Sequence, residues 1–150
     1  MQQAIKERPA IFWKAEYSIG VDAIDRQHRK IFEHLLALEN SIEKKDPWHV
    51  LRFLIGDLAE CLQLHLAVEE ALLEIVKYPG LEDHRAAHEQ LTAAIADLED
   101  AIRRSPSVSH LVAFFEQWFI RHVLASDREF ARYVAEALGG PAPAASPLPG

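Results

Sequence analysis

The chain has 150 residues, 49% hydrophobic and 26% charged, which suits one globular domain with one core. Its formal net charge of −7 argues against the basic face that a nucleic-acid surface needs, and its single cysteine, Cys61, excludes an internal disulfide and fits a reducing compartment. No apolar run approaches the roughly 18 residues of a membrane span, and the opening MQQAIKERPAIFWKAEYSIG lacks the continuous apolar stretch of a signal peptide, so the expected location is the cytoplasm.

Residues 1–20 show no helical period. Phe12, Trp13, Tyr17 and Ile19 read as an arm that packs on the helical region. From about residue 22 the apolar positions recur at steps of three and four, the mark of amphipathic helices that each bury one stripe. The first stripe runs Ile24, His28, Ile31, Leu35, Leu38, Ile42. The second runs Leu51, Leu54, Leu58, Leu62, His65, Glu69, Leu72, Val76. The third runs Leu81, His84, His88, Leu91, Ile95, Leu98, Ile102. The fourth has Leu111, Phe115, Trp118 and His122, then Asp127, Phe130, Val134 and Leu138.

The breaks between stripes are short. DPW (Asp46 to Trp48) offers a cap and then proline in the first helical turn. YPGLED (Tyr78 to Asp83) holds a Pro-Gly turn, and RSPSVS (Arg104 to Ser109) is a third stop and start. Short connections make successive helices antiparallel neighbours, so the expected fold is all-α, an up-down-up-down four-helix bundle over residues 1–138. The last twelve residues, GGPAPAASPLPG, are expected to form a disordered Pro/Ala-rich tail over 139–150.

Polar residues occupy core positions in every stripe: His28, His65, Glu69, His84, His88, His122 and Asp127. Burying them without partners would be costly, and in a bundle they can converge on one interior region. Residues at i and i+4 differ by only about 40° around a helix, so His84 with His88, and His65 with Glu69, can point at a common centre. His122 and Asp127 are five apart, which an ideal helix separates by about 140°. Either the fourth helix buries a wide face, or a one-residue π-bulge shifts its stripe after His122.

Imidazoles and carboxylates without thiolates suit iron, manganese or zinc better than calcium, magnesium or an iron–sulfur cluster. Seven candidates are too many for one tetrahedral zinc and suit two metals bridged by carboxylates. Neither Glu-x-x-His, used by ferritin-like di-iron proteins, nor the His-Glu-x-x-His of zinc proteases occurs.

With these residues in place the chain resembles the hemerythrin family, most closely its single-domain bacterial members. The matching pieces are IGVDAIDRQH ending at His28, HLAVEE from His65 to Glu70, HRAAH from His84 to His88, and WFIRHVLASD from Trp118 to Asp127. The resemblance implies two non-haem irons, one held by His84, His88 and His122 and the other by His28 and His65. Glu69 and Asp127 would bridge them, together with an oxo or hydroxo bridge, leaving one open position on the two-histidine iron. That is where this family binds dioxygen. Trp118, Phe119 and Val123 are expected to line the gas pocket. Many relatives have Phe where this chain has Leu66 and Met where it has Leu73; both swaps stay apolar.

The expected function is therefore reversible dioxygen binding, for delivery, storage or buffering, without enzymatic turnover. The alternatives are an oxygen or redox sensor that acts through a separate partner, an enzyme that reduces nitric oxide or peroxide, and iron handling. Cys61, four residues before His65, is expected to be a small core residue, with a thiol near the irons as the sharper reading. Glu70 reads as a solvated face residue, and His34, His49 and His110 as surface or capping groups.

Overall fold

A computed structural model describes residues 10–137, apart from the side chains of His122 and Val123. The first nine residues of the expected arm, Leu138 at the end of the fourth stripe, and the expected tail over 139–150 lie outside the described residues. Three long helices follow the arm: α1 (Asp22–Glu43), α2 (Trp48–Ile75) and α3 (Leu81–Arg104). The fourth is continuous but changes pitch, from α4 (Val108–Phe114) through a π-helical stretch (Phe115–Val123) into α5 (Leu124–Ala137). Each long helix packs on its neighbours in sequence, and α4 closes the ring against α1. The result is an all-α four-helix bundle, and none of its described helices is long and apolar enough to cross a membrane.

The apolar stripes meet inside the ring. Ile24, Ile31, Leu35, Leu38, Leu51, Leu58, Leu91, Ile102, Leu111 and Phe130 have almost no solvent exposure. Each such side chain contributes about 1.5–3 kcal/mol over an exposed one. Leu54, Leu72 and Val76, expected as core positions, pack against this core only half-buried. Leu73 takes the fully buried place instead.

Two of the connections end helices in the same way. Lys45 and Lys77 adopt left-handed backbone, with φ of 59° and 56°. Lys45 N–H then reaches the Ile42 carbonyl and Asp46 N–H the Ser41 carbonyl; Lys77 and Tyr78 repeat the pattern onto Glu74 and Leu73. These paired bonds satisfy carbonyls that the helix itself leaves open. The sequence reading of Asp46 as the cap of α2 needs correction: Pro47 occupies the cap position without a side-chain bond. The Asp46 carboxylate instead accepts from Ser41 Oγ at 2.6 Å, tying the turn back to α1.

Residues 10–21 lie across α1 and the fourth helix. Ile11, Tyr17 and Ile19 are buried there, and Trp13 and Tyr17 join Phe32, Phe115 and Phe119 in one aromatic cluster. This irregular backbone needs hydrogen-bond partners, and two buried carboxylates of α1 supply some of them. Asp25 accepts from Ile19 N–H at 2.9 Å and from Ser18 Oγ at 2.5 Å. Glu39 accepts from Ala10 N–H at 3.1 Å and Ile11 N–H at 2.9 Å. Replacing Glu39 by alanine strands both amides and is expected to cost about 3 kcal/mol in chemical denaturation, with faster hydrogen exchange at Ile11.

Candidate metal centre

All four helices send ionisable side chains to one interior region. His28 comes from α1, His65 and Glu69 from α2, His84 and His88 from α3, and Asp127 from α5, and all are buried. Their donor atoms form two overlapping groups. His28, His65, Glu69 and Asp127 make one; Glu69, His84 and His88 make the other.

The carboxylates share their oxygens between the groups. Glu69 Oε2 lies 3.0 Å from His65 Nε2, while Oε1 lies 3.3 Å from His88 Nε2 and also contacts His84 Nε2. Asp127 Oδ2 is 2.9 Å from His28 Nε2 and 3.7 Å from His65 Nε2, while Oδ1 is 3.7 Å from His84 Nε2. Each carboxylate therefore faces histidines on both sides with a different oxygen.

His122 falls in the π-helical stretch, and its side chain is outside the description, so the structure does not place its ring. The backbone does settle how the fourth stripe changes phase. A π-helix bonds five residues back, and Leu124 N–H accordingly reaches the Phe119 carbonyl. The wide turn spans nine residues, Phe115–Val123, and so precedes and includes His122 rather than following it as a single bulge.

Unmet bonding shows whether the donor set fits a metal. His28 Nδ1, His65 Nε2, Glu69 Oε2 and Asp127 Oδ1 are buried with no hydrogen-bond partner among the described residues. His65 Nε2 and Glu69 Oε2 are only 3.0 Å apart yet not aligned as donor and acceptor, so both aim into shared space rather than at each other. Such orphans are rare in folded proteins unless something else satisfies them. Nitrogen and oxygen donors in two bridged groups fit a pair of transition-metal ions.

Two outer partners orient the rings. Gln27 Oε1 accepts from His65 Nδ1 at 2.6 Å, and Glu70 Oε1 accepts from His88 Nδ1 at 3.0 Å. Both contacts fix the tautomer that leaves Nε2 as the inward donor. The expectation of a solvated Glu70 needs correction, since the residue is half-buried against His88. Sequence reasoning misses Gln27 altogether, because no pattern within one helix marks it.

Of the expected gas-pocket residues, Phe119 is buried with its ring edge-on to His28 at 5.2 Å. Trp118 packs partly buried against the core, and the Val123 side chain is outside the description. Leu66 and Leu73 are both buried. Asp127 is buried as well, and its neighbour Arg128 donates to the Glu16 carbonyl of the arm. Cys61 packs half-buried against the core. Burial raises its thiol, and its charged neighbours are Lys30 and Glu33 of α1. His34 and His110 are half-buried and His49 is exposed.

The comparisons with known proteins agree with this geometry. Residues 19–134 match the profile of the hemerythrin HHE cation binding domain. The chain belongs to the hemerythrin family. It is 27% identical over 128 residues to a bacteriohemerythrin of Stenotrophomonas maltophilia, covering 83% of this chain and 81% of that one. It is 28% identical over 127 residues to a bacteriohemerythrin of Clostridium acetobutylicum, covering 79% and 96%. A hemerythrin of Siphonosoma cumanense is 27% identical over 119 residues, covering 79% and 88%. No solved structure matches the chain.

Without metal, this hemerythrin-type cluster holds protons. Burial alone would lower the His65 imidazole, but the Asp127 and Glu69 carboxylates outweigh it and raise it from 6.5 to about 9. His84 is also raised: burial opposes this, and Glu69 prevails. Burial would push the Glu69 carboxyl up, yet His65, His84 and His88 hold it well below the usual range.

The sign for His65 comes from linkage. Its folded value is raised, so its stabilisation of the metal-free protein is complete below 6.5 and is lost as pH rises through about 9. Metal must displace the same proton. Metal affinity is therefore expected to climb with pH up to about 9, while the thermal midpoint of the metal-free protein falls over that window. Calorimetric metal titrations and melts at stepped pH check both. Gln27→Leu and Glu70→Ala, which release the rings, should each weaken metal binding about 10–100-fold in competition with a chelator.

Proposed function

We propose that this chain binds dioxygen reversibly at a non-haem di-iron centre, for oxygen delivery, storage or buffering. The observation that carries the reading is the division of Glu69 and Asp127, each offering separate oxygens to histidines on either side. That arrangement supports two metals bridged by two carboxylates, as the family membership implies. His28 and His65 would hold one iron, His84, His88 and His122 the other, with an oxo or hydroxo bridge between them.

When bound, the iron pair supplies the electrons that reversible dioxygen binding requires. The chain's own residues do the rest. Gln27 and Glu70 keep two imidazole Nε2 atoms aimed inward. Phe119 seals the His28 side with apolar surface, and Leu66 and Leu73 keep α2 dry beside His65 and Glu69. Excluding water limits proton access and so slows irreversible oxidation. The donors come from rigid helices, which holds both halves in register through repeated cycles.

Optical spectra of the reduced, iron-loaded protein, taken through alternating oxygen and inert gas, test this. A charge-transfer band that appears and fades over many cycles is expected. Immediate, permanent oxidation of the wild-type protein would overturn the proposal. Phe119→Ala should keep its iron but lose the band several-fold faster with each cycle.

A further inference from the structure

The outer face of α2 carries large apolar side chains that the bundle does not use. Phe53, Leu64 and Ile75 are 67%, 66% and 76% exposed. They recur every eleven residues, and eleven residues of α-helix complete three turns to within about 20°. All three therefore lie on one strip, about 33 Å long at 1.5 Å per residue. Leu64 sits at its midpoint.

That spacing is symmetric, and a strip symmetric about its midpoint is what an isologous two-fold contact needs. With two copies of α2 antiparallel, Leu64 meets the partner's Leu64 at the axis. Phe53 meets the partner's Ile75, and the pairing repeats on the other side. Two carboxylates lie within the strip, Asp57 about 20° and Glu60 about 40° around the helix from Leu64; Asp57 falls level with the partner's Ala71 and Glu60 level with the partner's Val68, so neither is level with another carboxylate.

The charges beside the strip match the same register. Arg52 precedes Phe53 and Glu74 precedes Ile75, so both project to the same side of the strip. An antiparallel two-fold keeps that side in common, which sets Arg52 beside the partner's Glu74 twice. Among the described residues the ion pairs of these two are long, Arg52 to Glu99 at 3.9 Å and Glu74 to Arg85 at 3.8 Å. Their side chains are 72% and 71% exposed, so both can re-pair.

We propose that the outer face of α2 is a self-association surface that pairs two copies of this chain antiparallel about Leu64. Sedimentation equilibrium of the full chain, from nanomolar to near-millimolar concentration, is expected to show a reversible dimer of the 17.0 kDa chain. Leu64→Arg sets two cations against each other at the axis and should raise the dimer dissociation constant about tenfold or more, with helical content by circular dichroism unchanged. R52E and E74R should each weaken the dimer, and the double variant R52E/E74R should recover most of the loss. A chain that stays monomeric at every concentration overturns the proposal. So does a dimer indifferent to Leu64→Arg, or a double variant as weak as either single one.

Discussion

Six buried ionisable side chains from all four helices face one another at the centre of this bundle, and the rest of the structure is arranged around that cost. Taking imidazoles and carboxylates out of water without partners is strongly unfavourable. Proximity alone does not resolve it, because four of the donor atoms remain without a hydrogen bond. A metal pair would satisfy the inward-facing ones, His65 Nε2, Glu69 Oε2 and Asp127 Oδ1, while His28 turns its Nε2, not the orphaned Nδ1, toward Asp127. In the metal-free protein protons take over that role, which is why His65 rises to about 9 while Glu69 is driven down. Proton and metal are alternative occupants of one electrostatic trap.

The helices can meet that demand because their periods bring the donors round to the core. The i,i+4 pairs on α2 and α3 need only regular α-helix. The fourth helix has to carry its aromatic contacts, His122 and Asp127 on one continuous element, and the π-helical stretch Phe115–Val123 is where its phase changes. The same stretch presents Phe115 and Phe119 to the arm's Tyr17 and to Phe32, and Phe119 to His28. Pitch change, aromatic packing and the apolar wall beside His28 are thus one feature. The arm completes it from outside, held by Asp25 and Glu39 through its own backbone amides.

Much of this is legible in the sequence because it depends on spacing within one helix. The four stripes, their breaks and the polar residues inside them follow from a period of 3.6. What stays hidden depends on contacts between elements. Gln27 and Glu70 are recognisable only once α1 faces α2 and α2 faces α3, since each orients a ring on another helix. Asp25 and Glu39 do leave a signal: both keep phase with His28, Leu35 and Ile42, so they have to be buried. The placement of the wide turn is ambiguous because a phase shift in the stripe shows that one exists, not which residues form it. Asp46 misleads because a turn aspartate before proline resembles a helix cap, whereas here Ser41 claims its carboxylate.

The central claim is that two carboxylates hold two metals as a pair, and Mössbauer spectroscopy of the iron-loaded, oxidised protein, with iron counted per chain, tests it most directly. The prediction is two irons per chain in one antiferromagnetically coupled, diamagnetic pair. The pair should be lost in Glu69→Ala, which removes one of the two proposed carboxylate bridges yet leaves every histidine in place. One iron per chain, or two irons magnetically independent of each other, would contradict it.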